Sequence, residues 1–437
     1  MKLEDLKNKL QQKLNIEVNN TSSKTNQMKI IGVTGSCGKS TVCYLLHEYL
    51  KKLGFKSVLY SSIKVDSPMS INSQTEAAEL SFKNETELLD IITSALEYKS
   101  DYLILEINES IIEKGLIKDI PFDIRVLTNL NPKHNLKYSA TQYVNIKKSF
   151  FKDVKEACIC IYGFQDYDKE LFNELLTINN MPKLTFTSNY IARNKDINPN
   201  TISTLLTHID EETKEFEVKM NNTNYKFNYT SNMKYNILNY LCVLTILQSI
   251  NQINENVFNK VINSTLPGRS ETYYVDGRTI IVDLHLSSAL QELKELKAQG
   301  KIENIKVVVG SVGSGFYNWS KEFNEGFHYT NRHASRKYAM ELLKDGVSHI
   351  YLTENDNGKE NVRDICNELQ SYLGTTPSTI IENREEAIRR AISESSSNDA
   401  ILIAGRGNRR ILCNGEFTMK LLKDSDIVKK TLNELGW

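Results

Sequence analysis

The sequence has no surplus of charge, because 54 Lys and Arg residues face 54 Asp and Glu residues. A balanced chain offers no net field to attract nucleic acid or an anionic membrane, so neither is expected as a partner. Runs such as Lys7 to Lys13 read as solvated helix surface. The chain also lacks an apolar stretch long enough to cross a bilayer and opens without a signal-peptide pattern, so no membrane insertion is expected. Its seven cysteines are scattered. Cys158 and Cys160 lie close together in "ACICIYG" but lack the spacing of a zinc or redox motif. They read as structural residues of a buried strand, and a reducing cytoplasm fits best. No internal repeat or low-complexity tract stands out.

The 437 residues suffice for two or three domains. Residues 1–27 read as an amphipathic helix, with Leu3, Leu6, Leu10 and Leu14 at helical spacing, followed by a polar linker. From Met28 short apolar runs alternate with helical patterns: "KIIGV", "SVLYS", "YLILE", "DIRVLTNL" and "ACICIYG". That alternation predicts a parallel sheet covered on both faces. "KLTFT", "TISTLLTHI", "FEVKM" and "YKFNYT" read as an antiparallel elaboration, and two helices follow near 234–250 and 254–264. Pro267-Gly268 marks a boundary. Beyond it "TIIVDL", "KVVVG", "SHIYLT", "STIIE" and "AILIAG" alternate with helices as a second doubly wound sheet. The expected fold is therefore α/β: a central ATPase domain at 28–266 and a Rossmann-like C-terminal domain at 267–437.

Residues 28–41, "MKIIGVTGSCGKST", join a strand to an amphipathic helix through a glycine-rich turn. Such a turn lets backbone N–H groups converge on an anion while the helix dipole favours negative charge. Gly35, Ser36, Gly38, Lys39, Ser40 and Thr41 are the expected nucleotide cradle. Lys39 would reach the β- and γ-phosphates, and Ser40 or Thr41 would give a hydroxyl to Mg²⁺. Gly32 is followed by five residues before Gly38-Lys39, one more than in the strict Walker pattern. A phosphate loop alone leaves the reaction open, since kinases, GTPases and ligases share it. The guanine-reading Asn-Lys-x-Asp of a GTPase is lacking.

The loop "GVTGSCGKS" matches the Gly-x-x-Gly-x-x-Gly-Lys-Ser/Thr pattern of the Mur ligases, longer spacing included, and residues 28–437 resemble that superfamily in order. These are ATP-dependent amide ligases of cell-wall peptide assembly, together with folylpolyglutamate and cyanophycin synthetases. The likeness is greatest to the branch that adds the third amino acid to a UDP-linked muramoyl dipeptide. "LILEINES" resembles the stretch whose carboxylate, here Glu106, holds Mg²⁺. "VLTNLNPKHNLKYSATQYVNIKKSFF" resembles the segment carrying a metal-binding histidine, here His134, and a lysine that many members carbamylate, here Lys147. "YNILN" supplies the adenine-reading pair Asn236 and Asn239. "PGRSE" gives the ATP-touching Arg269, and "IVDLH" gives the ribose-holding Asp283 with His285 beside it.

The resemblance implies transfer of the γ-phosphoryl of ATP to a carboxylate, then attack by an amine to give an amide, ADP and phosphate. Cations must offset the two approaching anions, which assigns Lys39 and Mg²⁺ that work. Ser40, Glu106 and His134 would be the metal ligands. Closure of the two α/β domains would exclude water.

Three departures qualify the substrate. Only 27 residues precede the first strand, too few for a separate UDP-gripping domain. Lys133 stands where the metal loop has aspartate. The diaminopimelate-reading Asp-Asn-Pro-Arg becomes Asp356 to Lys359, and the Gly-His-Glu end becomes Gly407, Asn408 and Arg409. Arg332, Lys359 and Arg409 are then candidates for binding a carboxylate of the amine substrate. The partners expected are a small carboxylate and an amino acid or other amine; the oligomeric state stays open. The alternative reading is a degenerate, nucleotide-binding subunit without ligase activity.

Overall fold

The computed structural model describes residues 28–67, 85–131, 138–154, 157–165, 169–229, 235–264, 266–313, 325–409, 411–414, 417–420 and 422–437. The helix and linker expected before Met28 lie outside the described residues. Contacts group the chain into two units, one formed by residues up to 230 with Asn236–Ser264, the other by 231–235 with 265–437.

In the first unit the chain runs β1 (Lys29–Thr34), α1 (Lys39–Lys52), β2 (Ser57–Tyr60), β3 (Val65–Asp66), α2 (Glu85–Glu97), β4 (Tyr102–Glu106) and α3 (Glu109–Glu113). It continues through β5 (Ile124–Leu127), α4 (Ala140–Ser149), β6 (Ile159–Gly163), α5 (Lys169–Thr177), β7 (Lys183–Ser188) and α6 (Asn189–Asn194). β8 (Thr204–Asp210), β9 (Glu215–Met220), β10 (Thr223–Asn228), α7 (Tyr235–Ser249) and α8 (Glu255–Ile262) complete it. The strands form one sheet in the order β10-β9-β8-β7-β6-β5-β1-β4-β2-β3. β1 lies between β4 and β5, both parallel to it, so the phosphate loop leaves the sheet where the strand order reverses. That switch point opens a crevice at the carboxyl ends of the strands.

The expectation of an antiparallel elaboration holds only for β9 and β10. β7 pairs parallel with β6, and β8 pairs parallel with β7, so "KLTFT" and "TISTLLTHI" extend the main sheet. Helices α5 and α6 are the crossovers that parallel neighbours require.

The second unit runs β11 (Glu271–Val275), β12 (Arg278–Asp283), α9 (Ser287–Ala298), β13 (Ile305–Val309), α10 (Glu325–Leu343), β14 (His349–Leu352) and α11 (Val362–Ser371). β15 (Ser378–Ile380), α12 (Arg384–Ser393), β16 (Ala400–Ala404), the hairpin β17 (Ile411–Asn414) and β18 (Phe417–Lys420), and α13 (Asp424–Leu435) follow. Its sheet is ordered β11-β12-β16-β13-β14-β15, parallel except for β11. Alternate strand residues supply opposite faces. Ile281, Val307 and Leu402 pack with Leu290 and Leu293 of α9, whereas Ile280, Val282, Val308 and Ile401 pack with Ile388 of α12 and Val428 of α13. Both faces are thus buried, as the near-continuous apolar runs require.

Candidate active site

The phosphate loop is held from behind by the Thr-Asn pair at the end of β5. Asn129 accepts the Ser36 and Cys37 backbone N–H groups on Oδ1, at 3.2 and 2.9 Å. Thr128 donates its hydroxyl to the Cys37 carbonyl at 2.6 Å. Gly38 begins α1 at a φ of 80°, and an added Cβ would lie 2.1 Å from Asn239 Oδ1. Only glycine satisfies both the dihedral and the close approach. No side chain caps α1 and no acidic residue lies in its first turn. Its first N–H groups therefore lack intrahelical acceptors at the positive end of the dipole, which fits a phosphate.

Lys39 donates from Nζ to the carbonyls of Gly35 (3.0 Å) and Ser36 (3.4 Å). Burial works to lower its pKa, yet the nearby Glu109 and Glu106 carboxylates hold it above the ordinary lysine value. Ser40, rather than Thr41, reaches the acidic group: its Oγ donates to Glu106 Oε1 at 2.9 Å. The other oxygen of Glu106 accepts Ser61 Oγ at 2.9 Å and the Ser62 N–H at 2.8 Å. Ser62 Oγ lies 2.6 Å from Ser40 Oγ. This cluster of one carboxylate and hydroxyls supplies hard oxygen donors beside the cradle, the chemistry that suits Mg²⁺.

On the other side Ser139 and Gln142 form a reciprocal capping box that starts α4. It fixes Tyr143 and Lys147 one turn apart on the same face. Tyr143 donates to Ser36 Oγ at 3.0 Å. Lys147, wholly buried, donates to Thr34 Oγ1 at 3.0 Å and to Glu109 Oε2 at 3.2 Å. Burial and the charge of Lys39 lower the Lys147 pKa to about 8, against the pull of Glu109. Burial would raise Glu109, but Lys147 and Lys39 outweigh it and hold the carboxyl at about 2. Glu109 sees the two cations Lys147 and Lys39, whereas Lys147 sees the anions Glu109 and Glu106 and the cation Lys39. Asn236 and Asn239 are buried side by side on α7, Asn239 Nδ2 donating to Asn236 Oδ1 at 3.2 Å.

The structure therefore brings Gly35, Ser36, Gly38, Lys39, Ser40, Glu106, Lys147, Asn236 and Asn239 into the first unit's carboxyl-end crevice. His134 lies outside the described residues. Sequence reasoning missed Thr34, Ser61, Ser62, Glu109 and the loop-holding roles of Thr128 and Asn129. Ser61 and Ser62 follow β2 directly, and a polar pair at the carboxyl end of a buried parallel strand was the available signal.

In the second unit Asp283 ends β12 and accepts the Ser270 N–H (2.9 Å) and hydroxyl (3.1 Å) on Oδ2 and the His285 N–H (2.8 Å) on Oδ1. It thereby organises the turn that carries the buried Arg269, whose Nη1 donates to Gly268 O at 3.2 Å. Of the three candidate carboxylate binders, Lys359 is exposed. Arg332 pairs with Glu360 at 3.0 Å, and Arg409 pairs with Asp356 at 3.3 Å. Asp356 is also held by the buried Arg406 at 3.1 Å, so two guanidiniums share this one buried carboxylate. Arg336 joins Glu360 (2.9 Å) and Glu368 (2.6 Å).

A phosphate loop on one largely parallel sheet, followed in sequence by a Rossmann-like unit with polar strand ends, defines a nucleotide-dependent α/β enzyme. The Mur ligase middle domain matches residues 33–247, and the Mur ligase glutamate ligase domain matches residues 268–407. The chain belongs to the Mur ligase family. UDP-N-acetylmuramoyl-L-alanyl-D-glutamate–2,6-diaminopimelate ligase of Fusobacterium nucleatum is 24% identical over 422 residues, covering 93% of this chain and 79% of that protein. UDP-N-acetylmuramyl-tripeptide synthetase of Lactococcus lactis is 22% identical, over 87% of this chain and 73% of that protein. Among solved structures, a folylpolyglutamate synthase of Mycobacterium tuberculosis with ADP and AMPPCP superposes with a TM-score of 0.63 at 13% identity, covering 90% of this chain and 91% of that one. A pseudomurein peptide ligase type C of Methanothermus fervidus gives 0.60 at 14% identity, over 97% and 84%. The chain is an ATP-dependent carbon–nitrogen ligase using ATP and Mg²⁺, and the comparisons support this over a subunit without activity. No helix among the described residues is long and apolar enough to cross a membrane.

Proposed function

We propose that the enzyme joins a peptide-like carboxylate of cell-wall type to an amino acid in the cytoplasm, with Lys39, Ser40 and Glu106 at the reacting phosphate. The observation that carries this reading is the uncapped start of α1, with Lys39 and the Ser40–Glu106 contact at its mouth. The substrate carboxylate oxygen attacks the γ-phosphorus, forming an O–P bond as the bond to ADP breaks. The amine then attacks the resulting acyl phosphate, phosphate leaves, and the amine proton passes to solvent. Lys39 offsets the charge of the phosphoryl oxygens, and the uncapped N–H groups of α1 orient them. Ser40 and Glu106, with His134 as the further candidate, would hold Mg²⁺, which would supply Lewis-acid stabilisation of the same charge. Asn236 and Asn239 would read adenine, and Arg269 and Asp283 would serve the nucleotide from the second unit.

The amine is read as an amino acid without a second ammonium. Asp356 is occupied by Arg406 and Arg409, and Glu360 by Arg332 and Arg336, so these carboxylates are engaged within the fold. The exposed Lys359 and the partly exposed Arg409 favour a neutral or acidic amine substrate.

Phosphate release with Mg²⁺ and ATP, screened over acceptor pools and single amino acids, tests both levels. Release that needs acceptor and amine together, and is lost in Lys39→Ala, is expected. ATP binding without release or hydroxylamine-trapped acyl phosphate would overturn the ligase reading. Strongest release with a diamino acid would overturn the amine assignment alone.

A further inference from the structure

Tyr143 is 2% exposed and meets the phosphate loop from α4. Its hydroxyl donates to Ser36 Oγ at 3.0 Å, and Lys147, one turn on, donates to Thr34 Oγ1 at 3.0 Å. Four helical residues advance about 6 Å and two residues of extended chain about 6.6 Å, so the two side chains reach alternate residues where β1 runs into the loop. Lys147 Nζ also lies 5.5 Å from the centre of the Tyr143 ring, which fixes the ring further. Burial raises the phenol above its ordinary pKa, so the hydroxyl keeps its proton and remains a donor.

Ser36 passes this contact on to Lys39. The Ser36 hydroxyl also accepts the Asn131 N–H at 2.8 Å and donates to the Asn131 carbonyl at 3.3 Å. One donor and two acceptor positions are then all used, so this hydroxyl braces the loop rather than meeting a phosphate. Of the two residues on it, Tyr143 belongs to a helix started by a reciprocal capping box, whereas Asn131 lies in the loop after β5. The Ser36 carbonyl, with that of Gly35, accepts Lys39 Nζ at 3.4 and 3.0 Å. Two of the three ammonium donors are thereby directed, and the third is left for a phosphoryl oxygen.

We propose that Tyr143 positions Lys39 through Ser36 for phosphoryl transfer. The proposal rests on the ligase reading above, in which Lys39 offsets the charge of the phosphoryl oxygens. Tyr143 is a positioning residue: it ties the loop to α4, so that the ammonium stands where charge develops and need not reorganise during the reaction. Without the phenolic hydroxyl the Ser36 side of the loop shifts and carries the ammonium with it. That displacement costs rate more than nucleotide affinity, because the uncapped N–H groups of α1 hold phosphate independently.

The test uses the full chain and compares Tyr143→Phe, Ser36→Ala and the double variant. Kinetics use Mg²⁺, ATP and the acceptor and amine that release most phosphate in the screen above. Tyr143→Phe is expected to lower kcat roughly three- to tenfold, as loss of one hydrogen bond would, with the KM for ATP changed by less than about twofold. Ser36→Ala is expected to lower kcat at least as much, and the double variant no further than Ser36→Ala alone. A second readout needs no substrate. Without nucleotide, acetylation of Lys39 by acetic anhydride, followed by mass spectrometry, is expected to quicken roughly threefold or more in both single variants, because the loop carbonyls no longer favour the ammonium. An unchanged kcat or an unchanged labelling rate in Tyr143→Phe, or additive losses in the double variant, would overturn the proposal and leave the ligase reading standing. Absence of acceptor- and amine-dependent release in the unaltered chain would overturn the ligase reading, and the labelling rates would still decide whether Tyr143 sets Lys39.

Discussion

At the scale of single residues, Gly38 and Lys39 divide the work of the phosphate loop. Gly38 supplies a left-handed backbone that an L side chain enters only at about 1–2 kcal/mol, and its neighbour Asn239 leaves no room for a methyl group. Gly38→Ala is therefore expected to lower the thermal midpoint and weaken ADP binding, read by calorimetry and titration. Lys39→Ala removes the charge together with its bonds to the loop carbonyls of Gly35 and Ser36, and kcat should fall by roughly 10²- to 10³-fold. His47 carries a different prediction. It is wholly buried, with Nδ1 2.9 Å from Ser57 Oγ and Nε2 3.1 Å from Asp66 Oδ2. Burial lowers its pKa despite the Asp66 bond. The folded state thus binds fewer protons than the unfolded state as pH falls through the ordinary histidine value near 6.5, so stability present above that value is lost below it. The thermal midpoint should drop between about pH 7 and 5, and less steeply in His47→Asn.

At the scale of elements, α12 and α13 are tied by one buried ion pair. Arg384 holds both oxygens of Asp424, at 2.8 and 2.9 Å, and donates to Ala404 O at 2.9 Å at the end of β16. Removing one partner strands a buried charge, so Asp424→Asn or Arg384→Ala should cost about 3–5 kcal/mol in urea unfolding. Replacing both by apolar residues should cost much less. Strand direction is also decided at this scale. β7 and β8 carry mixed polar and apolar residues that suit an antiparallel ribbon. The crossover helices α5 and α6 make them parallel, and the short patterns "KELFNELLT" and "NYIARN" were the signal for that.

At the scale of the whole molecule, the residues proposed to serve the nucleotide fall in both units, Lys39, Ser40, Asn236 and Asn239 in the first and Arg269 and Asp283 in the second. Mg²⁺ with ADP at about 100 times its dissociation constant should stabilise the first unit by about 2.7 kcal/mol, and by less in Lys39→Ala at the same ligand concentration. A shift in the second unit's unfolding as well, lost in Arg269→Ala, would be the outcome expected if Arg269 also serves the nucleotide. Calorimetric traces of the three proteins with and without ligand check this.

The sequence by itself determined the two-sheet α/β class and the phosphate loop, and its likeness to the Mur ligases singled out Glu106. Those signals are local: a period of two or 3.6, a glycine spacing, a carboxylate at a strand end. The tertiary structure decided which charges meet. Ser61, Ser62 and Glu106 come together because β4 lies beside β2, and Glu109 meets Lys147 across the switch point beside β1. Arg332 and Arg409 read in sequence as available cations, and only the fold brings Glu360 and Asp356 against them. Electrostatic pairing falls off within a few ångströms, so sheet order, which no local pattern encodes, selects the partners.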